Sequence, residues 1–212
     1  LLTVCPNLAT NYAMTETMVT TALPPTSDIE ALSNSVGPAF PGVEIKLMQA
    51  DGSEATPGEP GEIWVRSQYN LAGYWQRPSA TAEAMSDDGF FKTGDLGVLR
   101  PDGNYRIVGR IKEMYKSGGY NVYPREIETV LEAHPSVAMA AVVSMPDPLW
   151  QEVGVAYLVA DGKIDLDAVA DHCRAHLANY KIPKQFIVEA SLPLLPVGKV
   201  DKVELRRRAT VL

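Results

Sequence analysis

Thr93-Gly94-Asp95-Leu96 leads through Pro101-Asp102-Gly103-Asn104 into Tyr105-Arg106-Ile107-Val108-Gly109-Arg110-Ile111-Lys112-Glu113. Pro, Asp, Gly and Asn in succession are a strong hairpin turn. Leu96–Leu99 and Tyr105–Val108 on either side read as its two strands. After Arg110 the pattern changes. Pro124 is suited to open a helix running through Leu131, with Glu126 and Glu128 near its positive end. Val137–Met145 and Val153–Ala160 are β-branched-rich apolar runs that read as strands. Asp165 caps a predicted helix to about Leu177, in which Leu166, Val169, Ala170, Cys173 and Leu177 recur at helical spacing. Phe186–Val188 reads as a short strand and Asp201–Ala209 as a terminal helix.

Upstream of the hairpin, residues 24–61 are rich in Pro, Gly and Ser. Turn signals at Pro24-Pro25, Gly37-Pro38, Pro41-Gly42, Asp51-Gly52 and Pro57-Gly58 separate short apolar stretches at Val43–Met48 and Glu62–Val65. This spacing predicts short strands in a small barrel or a distorted sheet. Pro78–Met85 reads as a short helix with Ser79 or Thr81 as its cap. The expected fold is therefore α+β: a β-rich, barrel-like subdomain followed by a small compact α+β domain. The boundary falls within residues 109–113, giving domains 1–111 and 112–212.

With 46% apolar and 21% charged residues, the 212-residue chain has ordinary globular usage and can form two small domains. A formal net charge of -7 argues against nucleic-acid binding through a broad basic face, while leaving room for a local phosphate pocket. Cys5 and Cys173 have neither metal-ligand spacing nor the density of a disulfide scaffold, which fits a reducing cytoplasm. No apolar run approaches the roughly 20 residues of a membrane helix. Leu1-Leu2-Thr3 begins without an initiator Met and without a basic segment leading into an apolar one. The expectation is a chain cut from a longer parent.

Two further stretches complete the motif set. Lys116-Ser117-Gly118-Gly119-Tyr120-Asn121-Val122-Tyr123-Pro124-Arg125-Glu126-Ile127-Glu128 follows the hairpin, and Pro196-Val197-Gly198-Lys199-Val200 stands near the end. Asn11-Tyr12-Ala13-Met14-Thr15-Glu16-Thr17 precedes them all. In this order and at these separations the chain resembles, from about Asn11 to about Arg206, the C-terminal portion of acyl-CoA synthetases. These belong to the adenylate-forming superfamily, which also holds peptide-synthetase adenylation domains and firefly luciferase. Ala13 stands where Gly is commoner in that family, a mild departure.

The resemblance implies a two-step ligase that uses ATP, Mg²⁺ and coenzyme A. A carboxylate attacks the α-phosphate of ATP, and a thiol then displaces AMP. It implies that Tyr12 and Ile107 lie against adenine, that Thr15 contacts the α-phosphate and that Glu16 helps hold Mg²⁺. Asp95 matches the ribose-binding carboxylate, which accepts from two vicinal hydroxyls, and Arg110 an Arg on ribose and phosphate. Lys112 occupies the hinge, where the bland reading is a solvated Lys in a linker. Lys116 and Gly119 belong to a segment brought to the site for thioester formation, the role of Lys116 varying among members. Lys199 matches the near-terminal Lys whose ammonium contacts both carboxylate and α-phosphate during adenylation.

No Gly-x-x-x-x-Gly-Lys phosphate loop occurs here. The family's own Ser/Thr/Gly-rich loop lies upstream of the Thr-Glu pair, so the fragment alone is expected to turn over little. The chain stops soon after Lys199 with Lys at the hinge, which favours free coenzyme A over a carrier protein as the thiol. A carrier-loading adenylation domain and a non-catalytic module keeping the fold are the alternatives. Met18 and Val19 line the acyl tunnel or are simply core. A medium- or long-chain fatty acid is preferred as substrate, with an aryl acid open. The remaining partners are small molecules, and a homo-oligomer is compatible. His172 and His176, four apart on a predicted helix, read as a surface pair, His134-Pro135 as a helix end and Arg206-Arg207-Arg208 as a solvated face.

Overall fold

Turn-forming residues break the first half of the chain into short antiparallel strands, while the second half alternates strands with helices. The computed structural model describes Cys5 and residues 7–211. Leu1-Leu2-Thr3, on which the reading of a cut chain rests, lies outside the described residues. The chain divides into two compact units, one ending at Ile111 and the other beginning at Lys112.

In the first unit, β1 (Thr10–Met14) and β2 (Met18–Leu23) form a hairpin with a bulge between Tyr12 and Ala13. A short helix follows, α1 (Ile29–Asn34), whose cap Asp28 accepts from the Ala31 N–H at 2.6 Å. Then come β3 (Glu44–Met48), β4 (Pro60–Arg66), α2 (Pro78–Ala84), β5 (Phe91–Leu99) and β6 (Tyr105–Arg110). The strands pair antiparallel in the order β3-β4-β5-β6. Of the two expected forms this is the open, distorted sheet. Val43, Leu47, Ile63 and Val65 form its buried core, with Tyr12 and Ile107 packed against it. The start of α2 differs from expectation. Pro occupies its first turn, Arg77 precedes it without a side-chain cap bond, and Thr81 Oγ1 instead accepts from the Tyr74 N–H at 2.9 Å.

A 3₁₀ turn at Ile111–Glu113 spans the boundary into the second unit. That unit continues with β7 (Tyr115–Ser117), β8 (Tyr120–Val122), α3 (Pro124–Glu132), β9 (Val137–Asp147), β10 (Gln151–Ala160), α4 (Leu166–His176), β11 (Gln185–Glu189) and α5 (Lys202–Ala209). β10 is the hub, paired antiparallel with β9 and parallel with β11, and touching β7 at Gln151 and Ser117. Alternation explains why β9 and β10 are apolar almost throughout. Ala140, Val142, Ala156 and Leu158 join a core with Ile127, Leu131, Val169 and Cys173 of α3 and α4. Their neighbours Ala141, Val143, Val155 and Tyr157 join a core with Leu205 and Ala209 of α5. A strand covered on both faces has no polar side to show. Among the described residues no helix is long and apolar enough to cross a membrane.

Candidate functional site

The hairpin that decides the fold also builds the centre of the candidate site. From the Pro101–Asn104 turn, Leu99 pairs with Tyr105, Val98 with Arg106 and Gly97 with Ile107. Continued residue by residue, that register would set Asp95 against Gly109. A bulge between Leu96 and Gly97 shifts it, so Asp95 faces Arg110 instead. The Arg110 Nε then donates to Asp95 Oδ1 at 2.5 Å. Tyr12, reaching over from β1, donates its hydroxyl to Asp95 Oδ2 at 2.6 Å. Three residues far apart in sequence thus meet on one carboxylate, with Ile107 alongside in the adjoining core.

Asp95 is only 7% exposed, and its backbone is held as firmly as its side chain. Its N–H donates to Thr93 Oγ1 at 3.1 Å, and that hydroxyl donates to the Ile63 carbonyl at 2.7 Å. The Gly94 N–H donates to Glu62 Oε1 at 3.0 Å. Gly94 takes φ +71°, a conformation that favours Gly because L side chains rarely adopt it. Burial, and then the Asp95 hydrogen bond, hold the Tyr12 phenol well above its ordinary pKa, so it remains a donor. A carboxylate oxygen accepts about two hydrogen bonds. With one donor on each oxygen, Asp95 keeps acceptor capacity on both, which matches a vicinal diol.

Thr15 and Glu16 sit in the turn joining β1 to β2, Thr15 exposed and Glu16 half-buried. The Glu16 backbone carbonyl accepts from the Leu71 N–H at 2.7 Å, and its Oε1 accepts from the Tyr74 hydroxyl at 3.1 Å. Tyr74 also lines an open cavity of about 510 Å³ with Ala72, Gly73, Arg77 and Met85. Sequence reasoning missed Tyr74. It lies in a turn-rich stretch where no spacing marks it. Glu62 and Thr93, which set the Asp95 backbone, are equally silent as individual residues.

The other candidates belong to the second unit. Lys116 is exposed on β7, its N–H donating to Glu152 Oε2 at 3.2 Å. Gly118 and Gly119 form the two-residue turn of the β7–β8 hairpin, with φ +57° and +84°, the paired positive values that favour Gly there. A Cβ on Gly118 would lie 2.7 Å from the Trp150 ring. Lys199 is exposed at the end of a tight turn in which the Gly198 N–H donates to the Leu195 carbonyl and the Leu195 N–H to the Lys199 carbonyl. Lys112 is exposed in the 3₁₀ turn. His134 stands beside the expected His172–His176 pair, with the His134 and His172 ring centroids 5.3 Å apart. Among the described residues no cluster of His, Cys, Asp and Glu is arranged to hold a metal ion.

Residues 1–75 match the family described as AMP-binding enzyme, and residues 126–199 match the AMP-binding enzyme C-terminal domain. The chain belongs to the AMP-binding enzyme family. It is 40% identical over 203 residues to a long-chain-fatty-acid–CoA ligase of Salmonella typhimurium, covering 95% of this chain and 36% of that ligase. It is 44% identical over 167 residues to a feruloyl-CoA synthase of Amycolatopsis, covering 78% and 34%. The ATP-bound structure of MatB from Rhodopseudomonas palustris superposes with a TM-score of 0.87 at 38% identity, covering 95% of this chain and 40% of that one. The chain thus spans little more than a third of the length of the family members it matches.

Proposed function

We propose that this chain carries the nucleotide clamp and the catalytic lysine of an ATP-dependent, AMP-forming carboxylic acid–CoA ligase. The observation that carries the reading is Asp95, a buried carboxylate aimed by Tyr12 and Arg110 with acceptor capacity left on both oxygens. Asp95 accepts from the two ribose hydroxyls, and Arg110 extends its remaining N–H groups to ribose and phosphate. Tyr12 and Ile107 flank adenine.

In the first half-reaction a carboxylate oxygen of the acid attacks the α-phosphorus, the bond to the bridging oxygen breaks, and pyrophosphate leaves. Thr15 donates to the α-phosphate. Lys199 contacts carboxylate and phosphate oxygens together, lowering the repulsion between two anions as they approach. Glu16, held by Tyr74, would supply a carboxylate to Mg²⁺, and a single protein carboxylate would suit an ion that keeps water and phosphate ligands. When bound, Mg²⁺ offsets negative charge on the phosphates.

In the second half-reaction the thiol sulfur attacks the acyl carbonyl. The bond to AMP breaks, the oxygen that came from the acid leaves with AMP, and the thiol proton passes to solvent. The Ser117–Tyr120 turn offers open backbone without Cβ at Gly119, suited to close approach by the pantetheine arm, while the Trp150 ring covers Gly118; Lys116 stands beside the turn. Lys112 is the pivot that exchanges Lys199 for this turn.

The favoured acid is a fatty acid, in keeping with the 40% identical relative that spans 95% of the chain. An aryl acid is the second reading, favoured by the 44% identical feruloyl-CoA synthase. The test is a panel of fatty and aryl acids offered to the full-length enzyme with ATP, Mg²⁺ and either coenzyme A or a phosphopantetheinyl carrier protein, following AMP release. Release that depends on both an acid and coenzyme A supports the proposal. Release only with the carrier makes the protein a carrier-loading enzyme, and no release with any acid leaves a non-catalytic module.

A further inference from the structure

Lys202 is the first residue of α5, and its ammonium makes two contacts at equal distance, 2.7 Å to Glu128 Oε1 and 2.7 Å to Glu113 Oε2. Glu128 is 4% exposed and also accepts from the Val142 N–H on β9 at 3.0 Å. A carboxylate this deep is tolerated only when paired and hydrogen-bonded; Arg125 stands 3.7 Å from its other oxygen, but Lys202 at 2.7 Å is the nearer and more buried cation, so Lys202 has little freedom to leave. Glu113 is the second residue of the unit that begins at Lys112. One ammonium therefore ties together the start of the second unit, the interior of α3 and the start of α5.

The main chain runs from that anchor directly to Lys199. The Lys202 N–H donates to the Val200 carbonyl at 3.1 Å and the Asp201 N–H to the Pro193 carbonyl at 2.8 Å, closing the base of a hairpin. Leu194 pairs with Val200, and the Leu195 N–H donates to the Lys199 carbonyl at 2.7 Å. Pro196 and Gly198, the latter at φ +80°, fix the turn between them. The backbone of Lys199 is thus held through a short hydrogen-bonded stem whose root is Lys202.

Resting on the assignment of Lys199 above, we propose that Lys202 is a positioning residue for adenylation. By clamping Glu128 and Glu113, it makes the Lys199 hairpin and the residue just past the pivot parts of one rigid body. A turn at Lys112 then delivers the Lys199 ammonium to a fixed point rather than being absorbed by bending after the pivot. Thioester formation, which uses the Ser117–Tyr120 turn, does not depend on that stem.

The two half-reactions separate this role from general stability. In the full-length enzyme, Lys202→Met lowers acid-dependent ATP–pyrophosphate exchange about tenfold or more in kcat with KM for ATP within about threefold. Thioester formation from synthetic acyl-adenylate and coenzyme A stays within about threefold. In a Lys199→Ala background Lys202→Met adds less than about twofold, because both act on one step. Lys202→Arg, which can bridge both carboxylates, restores most of the exchange. Equal losses in both half-reactions, losses that multiply with Lys199→Ala, or unchanged exchange would overturn the proposal. Should Lys202→Met not fold, Glu113→Gln, which leaves the Lys202–Glu128 pair, must still lower exchange selectively, and unchanged exchange there refutes the clamp. Exchange that survives Lys199→Ala refutes the assignment of Lys199 itself, whereas loss with Lys199→Ala and none with Lys202→Met refutes only the role of Lys202.

Discussion

Asp95→Asn tests the proposed nucleotide clamp with almost no change of shape. The amide keeps an acceptor at one position, enough for the hydroxyl of Tyr12 or the guanidinium of Arg110, which stand at 2.6 and 2.5 Å from the carboxylate. It substitutes a donor for the second oxygen and removes the charge. Hydrogen bonds to a charged group contribute about 1.5–3 kcal/mol each. Losing one of two ribose contacts and weakening the other amounts to about 2–3 kcal/mol, or roughly 30- to 150-fold in kcat/KM for ATP. The assay is acid-dependent ATP–pyrophosphate exchange in the full-length enzyme across a range of ATP concentrations. Most of the loss falls in KM, since the ribose is distant from the bond that breaks. A melting curve run in parallel checks that Thr93 and Gly94 still hold the backbone. An Asp95→Asn enzyme within about threefold of wild type in KM for ATP refutes the reasoning, because the clamp would then contribute under about 0.7 kcal/mol.

The Tyr115 hydroxyl is buried and has no hydrogen-bond partner among the described residues, and a Cβ on Gly154 would lie 2.5 Å from it. Tyr115→Phe therefore leaves stability unchanged or raises it by about 1 kcal/mol in urea unfolding. Gly154→Ala costs about 1–3 kcal/mol in the wild type and markedly less when combined with Tyr115→Phe, where the clashing oxygen is gone; additive effects would contradict this. Cys173 is buried and its thiol pushed up to about 11 by desolvation, while Cys5 is exposed. A disulfide reagent should titrate Cys5 alone in the native chain and both thiols only in denaturant. The Tyr12 phenol, raised by burial and by Asp95, contributes stability that is fully present below the unfolded tyrosine pKa near 10 and lost as pH rises through the higher folded value. A spectrophotometric titration should accordingly show late-ionising tyrosines, among them Tyr12 and the buried Tyr115, with one fewer in Tyr12→Phe; loss of an ordinary tyrosine instead of a late one would count against the Tyr12–Asp95 bond.

Elements with local signatures are legible from the sequence, and features set by register are not. Val153–Ala160 reads as a strand because both its faces are apolar, and it lies within β10. Asp165, expected to cap a helix, accepts from the Asp167 and Ala168 N–H groups at its start. By contrast, Phe91–Lys92 ahead of Thr93-Gly94-Asp95 does not read as strand, because Gly94 has the appearance of a turn. In β5 it is a positive-φ residue inside the strand. α1 is hidden within a span whose Pro, Gly and Ser content masks six helical residues.

The candidate site divides in the same way. Asp95 and Arg110 are visible as residue types at a telling separation, yet their pairing depends on a bulge that no composition announces. The resemblance sets Tyr12 against adenine, and its bond to Asp95 is a tertiary fact. Lys202, Glu128 and Glu113 are ordinary charges in the sequence. Only the packing of the second unit brings them together.

The central claim is that this chain clamps a nucleotide to which a carboxylate becomes joined. Its most direct test is isotope transfer. The full-length enzyme is given ATP, coenzyme A and an acid carrying heavy oxygen in its carboxylate, and the products are weighed by mass spectrometry. Attack of the carboxylate on the α-phosphorus followed by thiolysis leaves one labelled oxygen in AMP, none in pyrophosphate and one in the thioester carbonyl. Label in inorganic phosphate with release of ADP, or thioester formation with unlabelled AMP, would contradict the account.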